Sequence, residues 1–146
     1  MNIYKYLTGV LMLCIIILVG CSDDDNHDAM LVVESFHNQW NLQNFDEIYT
    51  GIVSKEFKDS MTKSDYLALM DKNSLVLGKY QYGRLLKNEK IQALVGGNNV
   101  KLIYHSTYAN YELNELFLMK KENGKYKIKQ MVYDDIHVIK LNERQQ

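Results

Sequence analysis

The chain is predicted to fold as an α+β domain, because the period of its apolar residues changes once, near Gly78, and a strong hairpin signal lies beyond. Upstream, Ala29, Val32, Val33, Phe36 and Trp40 recur at helical spacing. Downstream, apolar and polar residues alternate, and Asn123-Gly124 separates two alternating runs. That dipeptide favours a two-residue turn with positive φ at both positions. Helices first and an antiparallel meander after them imply helices packed on one face of a sheet.

Each element has its own signals. The first helix is expected over Asp28–Trp40, with Asp28 as its N-cap. A second, over Phe45–Phe57, holds Ile48, Tyr49 and Val53 and is weakened by Gly51. Thr62-Lys63-Ser64-Asp65 resembles a capping box with Asp in place of Glu, and opens a third helix carrying Tyr66, Leu69 and Met70. Gly78 supplies its stop. Strands are expected near Arg84–Val95, Val100–Ala109, Glu112–Lys121 and Lys125–Asp134, linked by Gly96-Gly97-Asn98-Asn99, Asn110-Tyr111 and Asn123-Gly124.

These turns imply a register. Pairing Glu122 with Lys125 sets Met119 opposite Ile128, Phe117 opposite Gln130 and Glu115 opposite Val132. A turn at Asn110-Tyr111 sets Leu102 beside Met119, Tyr104 beside Phe117 and Ser106 beside Glu115. All of these share the face expected to meet the helices, since strand side chains alternate. Its far end is polar, with Ser106, Tyr108, Glu115, Gln130 and Asp134. The other face carries Ile103, His105, Leu116, Leu118, Met131 and Tyr133, between Lys127 and Lys129. So apolar a row is expected to be covered by a second copy, by an envelope partner, or by the segment Ile136–Leu141.

The amino terminus carries a localisation signal. Lys5 precedes the apolar run Leu7–Val19, and Leu18-Val19-Gly20-Cys21 closes it. The run is short for a membrane span, which needs about 20 residues, and its layout is that of a secretory signal. The four closing residues resemble the lipobox of bacterial lipoproteins. That resemblance implies removal of residues 1–20, lipidation of Cys21 and anchoring to a membrane through the lipid. The acidic, polar residues 21–27 read as a solvated tether, residues 28–135 as the domain, and 136–146 as a tail. In a Gram-negative host, Ser22 after the lipidated Cys implies the periplasmic face of the outer membrane. Asp23 to Asp25 alternatively resemble a surface-export signal.

Composition narrows the functional classes. Removing Lys5 with the signal leaves the rest of the chain at a net charge of −2. No basic surplus points to nucleic acid. Cys14 leaves with the signal and Cys21 takes lipid, so no thiol is left for a disulfide or a nucleophile. His27, His37, His105 and His137 have no short-range partner at metal-ligand spacing, which argues against a metal site. His37 borders the first helical stripe and reads as half-buried. No phosphate-binding glycine loop or G-x-S-x-G elbow occurs, and no cofactor is implied.

Trp40, Phe45, Tyr49, Ser54-Lys55-Glu56-Phe57, Leu77-Gly78, Leu113-Asn114-Glu115-Leu116-Phe117 and the hairpin Glu122–Ile128 together resemble the cystatin-like fold of the nuclear transport factor two and SnoaL-like superfamily. They are similar in particular to small bacterial envelope proteins of that fold with no assigned function. Tyr126 stands where such relatives often place Trp. The resemblance implies a curved, cone-shaped sheet with a pocket under the helices. In enzymes of this kind the pocket would hold Glu115 or Asp134 as base and Tyr104 or Tyr108 as acidic donor. The bland alternative places the carboxylates at the rim or paired with Lys87. The leading reading is thus a lipid-anchored, non-catalytic domain binding a ligand or an envelope protein. An isomerase- or hydrolase-like enzyme, and an immunity-type or inhibitor lipoprotein, are the alternatives.

Overall fold

The computed structural model describes residues 24–92 and 97–141. The signal, Cys21 with the first part of the tether, and Gly96 of the second turn lie outside them. The architecture is α+β: an N-terminal helical region followed by a four-stranded antiparallel sheet in the order β1-β2-β3-β4.

Helix α1 spans Asp24–Asn41, so the expected tether is already helical from Asp24. Ala29, Val33, Phe36 and Trp40 fall on one stripe and are buried, as 3.6-residue periodicity requires. Phe36 meets Phe117 edge to face at 5.5 Å, and Trp40 meets Tyr108 in the same way at 5.5 Å. Trp40 Nε1 also donates to the Gly78 carbonyl at 3.0 Å, which satisfies its polar end inside an apolar site.

The second expected helix is broken into two. A short α2, Phe45–Glu47, runs into a π-helical turn over Ile48–Ile52. Val53 is then extended and forms a parallel bridge with Ile128, and the Ser54 amide donates to the Ile128 carbonyl at 2.9 Å. Ser54 restarts the helix as N-cap of α3, Lys55–Ser60, its hydroxyl accepting from the Phe57 amide. Thr62 caps α4, Lys63–Leu77, by accepting from the Asp65 amide while its hydroxyl donates to the Asp65 carboxylate. Gly78, at φ +77°, ends α4 as expected.

The strands are β1 Tyr80–Gln92, β2 Asn98–Tyr108, β3 Tyr111–Glu122 and β4 Lys125–Lys140. Asn123 and Gly124 both have positive φ, the geometry of a type I′ turn. The β2–β3 turn is Ala109-Asn110, one residue earlier than expected. Leu102 therefore pairs with Phe117 and Tyr104 with Glu115. The slip moves partners by two residues, so every side chain of β2 keeps its expected face.

In β4 the faces change. Met119 pairs with Ile128, but Leu118 pairs with Gln130, which leaves Lys129 as an extra residue. This bulge reverses the alternation of the rest of the strand. Met131 and Tyr133 turn inward and pack on the core, against their expected place on the outer face. Gln130, Val132 and Asp134 turn outward, and Val132 is 42 % exposed. Beyond Asp134 the pairing resumes with Ile139 and Lys140, opposite Glu112 and Tyr111. Residues 137–140 thus belong to β4, not to a separate tail.

Candidate functional site

The polar interior of the domain is built around Glu115. Its place on β3, between Leu113 and Phe117, points it toward the helices, and it is wholly buried. Three side chains meet it there. Ser106 Oγ donates to Glu115 Oε2 at 2.5 Å, and the Tyr108 hydroxyl donates to Oε1. His37, one turn before Trp40 on α1, brings Nε2 within 2.8 Å of Oε2. All three partners are buried as well. A carboxylate removed from water needs such partners, since an unpaired one would cost several kcal/mol.

Aromatic rings close around this cluster. Tyr80 lies flat on the His37 imidazole, with ring centres 3.7 Å apart. Tyr104 packs edge-on to Phe117. The Tyr133 hydroxyl is buried beside that of Tyr108 without a hydrogen bond of good geometry. Burial, then the charge of Glu115, pushes the Tyr108 and Tyr133 phenols well above the ordinary range. The same causes, with Glu34 contributing further, raise Tyr80 and Tyr104 to about 12. Gly83 makes room for this arrangement. A Cβ there would stand 2.7 Å from the Tyr80 hydroxyl and 3.1 Å from Ser106 Oγ.

A cleft of about 260 Å³ opens between α1 and strands β1 and β2, lined by Met30, Glu34, His37, Asn38, Tyr80 and Tyr104 among others. His37 and Tyr80 thus separate the cleft from Glu115. Among the described residues, no group of three or more His, Cys, Asp or Glu side chains is placed to hold a metal ion. No described helix is long and apolar enough to cross a membrane.

The expected site residues fall in three places. Glu115, Tyr104 and Tyr108 come together under α1. Glu115 sits inside rather than at a rim, and Lys87 pairs with Glu89 instead. Asp134 is removed from the cluster by the β4 bulge and holds His137 Nδ1 at 2.6 Å on the other face. On that outer face Ile103 pairs with Leu116, in line with Val132 where Met131 was expected. Leu118 and His105 are there too, His105 bonded to Asn114 at 2.9 Å. Met131 and Tyr133 are lost to the interior. Cys21 lies outside the described residues.

Sequence reasoning missed His37 and Tyr80 as members of the cluster. The signal for His37 was present: it follows Phe36 and lies four residues after Val33 on a buried stripe, where an ionisable side chain needs a buried partner. No protein-family model matches the chain, and no curated protein matches it.

Proposed function

We propose that this protein is a lipid-anchored domain of the bacterial cell envelope that binds a ligand non-catalytically in the cleft between α1 and the sheet. The observation that carries the non-catalytic part is the enclosure of Glu115. Its two oxygens accept from Tyr108, Ser106 and His37, all buried, and the residue itself has no exposure through which substrate could reach it. A general base needs a free lone pair within reach of substrate. Glu115 is out of reach, and serves as an interior brace holding α1 to β2 and β3. The lipid anchor rests on Leu18-Val19-Gly20-Cys21, and the cone-like, cystatin-like form of the sheet on the resemblance carried by Trp40, the Leu113–Phe117 run and the Glu122–Ile128 hairpin.

One observation favours the enzyme alternative: His37 lies between the cleft and Glu115, an arrangement in which an imidazole oriented by a carboxylate acts as acid or base. The two readings part at Glu115→Gln. Both lose stability, because an amide NH₂ then faces donors; in the protein that remains folded, an orienting group takes turnover with it, whereas a brace leaves ligand binding in the cleft. Anchoring is tested by labelling cells with palmitate. The wild type takes up label and fractionates with membranes, whereas Cys21→Ser takes up none. An unlabelled wild type overturns the anchor.

A further inference from the structure

Resting on the reading of the cleft as a binding site, we infer that its ligand is a small organic cation with an alkylated ammonium centre, and that Glu34 is the counter-ion. The lining is of two kinds. Met30, Leu31, Val33 and the rings of Tyr80 and Tyr104 supply apolar and π-electron surface. Glu34, exposed at the cleft on the same face of α1 as His37 and Asn38, has no ion-pair partner among the described residues.

The electrostatics of the cleft are of one sign. Glu34 stands at its edge and Glu115 lies beneath His37 and Tyr80. Both carboxylates act on the Tyr80 and Tyr104 phenols, which remain neutral to about pH 12. The side chains that line the cleft include no Lys or Arg, and His27 is the other imidazole beside His37. An anion entering here would meet carboxylates and phenol oxygens with no fixed cation to offset them. A neutral apolar ligand would leave the Glu34 charge unused.

The lining also distinguishes among cations. A primary ammonium or a metal ion holds its water strongly and needs several oxygen acceptors to replace it. Here most of the wall is carbon, with one carboxylate at its rim. An alkylated ammonium gives up its water more readily, spreads its charge over methyl groups, and suits aromatic and thioether surfaces. The volume of about 260 Å³ admits a ligand of that size.

The test uses the full chain, ring-labelled at tyrosine and held in an uncharged maltoside detergent. Tyr80 and Tyr104 signals are followed by NMR during titration with choline, or with its neutral isostere 3,3-dimethylbutan-1-ol. Choline is expected to shift both signals saturably, and the isostere to bind about fivefold more weakly. Glu34→Gln, an exposed and conservative change, should weaken choline about fivefold and leave the isostere unaffected. If the isostere binds as tightly as choline, or Glu34→Gln binds choline unchanged, the cleft binds ligand but the cation assignment is overturned. If neither probe moves either signal into the tens of millimolar, the cleft-binding reading falls together with the cation.

Discussion

Replacing Glu115 by Leu should unfold a large fraction of what holds this domain together, and the reason lies in what the change strands. Ser106, Tyr108 and His37 all point at Glu115 from buried positions, at 0 %, 0 % and 3 % exposure. None can turn to water without opening the contact between α1 and the sheet. A buried polar group left without its partner costs about 1–3 kcal/mol, so three stranded together cost about 3–9 kcal/mol. The lower end of that range applies if Tyr108 re-bonds to the nearby Tyr133 hydroxyl, which lacks a partner. Even that is a large part of the roughly 5–15 kcal/mol that a domain of this size commands. The asymmetry between a stranded group and a removed one supplies a second arm. Combining Glu115→Leu with His37→Phe, Ser106→Ala and Tyr108→Phe removes every stranded group and keeps the ring stacked on Tyr80. The combined variant should return to within about 2 kcal/mol of the wild type. Urea denaturation at pH 7 with a constant m-value reads both. A loss below about 1 kcal/mol for Glu115→Leu alone, or a combined loss equal to the sum of the single changes, refutes the brace.

Deleting Lys129 should remove the β4 bulge yet keep the pairs Leu118–Gln130, Phe117–Met131 and Glu115–Tyr133, so that Met131 and Tyr133 stay inward; we expect a loss of no more than about 1 kcal/mol, with a cooperative thermal transition retained by circular dichroism. A deletion variant that loses its cooperative transition would show that Lys129 is not the extra residue of this ladder. Stability should also fall between pH 10 and pH 12. Below pH 10 the Tyr80 and Tyr104 phenols are neutral whether folded or unfolded, but above it the unfolded chain ionises first, since the folded values are raised to about 12. Tyr104→Phe should flatten that decline in the urea midpoint measured against pH, and an unchanged slope would contradict the assignment.

Much of the fold was legible because the signals were local. The stripe on α1, the Thr62 cap, the Gly78 stop and the Asn123-Gly124 turn each depend on residues a few positions apart. The misplaced β2–β3 turn did no harm to the faces, because moving a two-residue turn by one position shifts partners by two. A bulge obeys the opposite arithmetic, and Lys129 carries no glycine or other local mark of it. The break between α2 and α3 was equally hidden, since Val53 is extended by its bridge to Ile128, far along the chain. The site divided in the same way. Tyr104, Tyr108 and Glu115 were readable from alternation on neighbouring strands. The burial of His37 was readable from its place on the α1 stripe, but its partner was not, because Glu115 lies 78 residues away and the bond between them is made only when α1 lies on the sheet.

The bulge links the protection of a sheet edge to the charge of the interior. An edge strand presents unpaired backbone groups and invites association, and β4 is an edge of this sheet. Residues 53 and 54 cover that edge at Ile128, immediately before the extra residue. Lys129 then reaches Glu56 on α3 at 3.0 Å, where Lys120 also pairs, and the two lysines hold the Glu56 carboxylate below its usual range. These charges are partly exposed and hold the linker in place more than they stabilise the fold. The larger effect lies past the bulge. With the alternation reversed, Tyr133 stands opposite Glu115 and Asp134 turns to the outer face, so a phenol closes the polar cluster and a second carboxylate is kept off this face. Among the described side chains, the inner face of this sheet therefore holds one carboxylate with its donors in place, and the outer face keeps Asp134 with His137 near solvent. The position of the bulge thus adjoins the covered edge and determines which β4 side chains enter the interior.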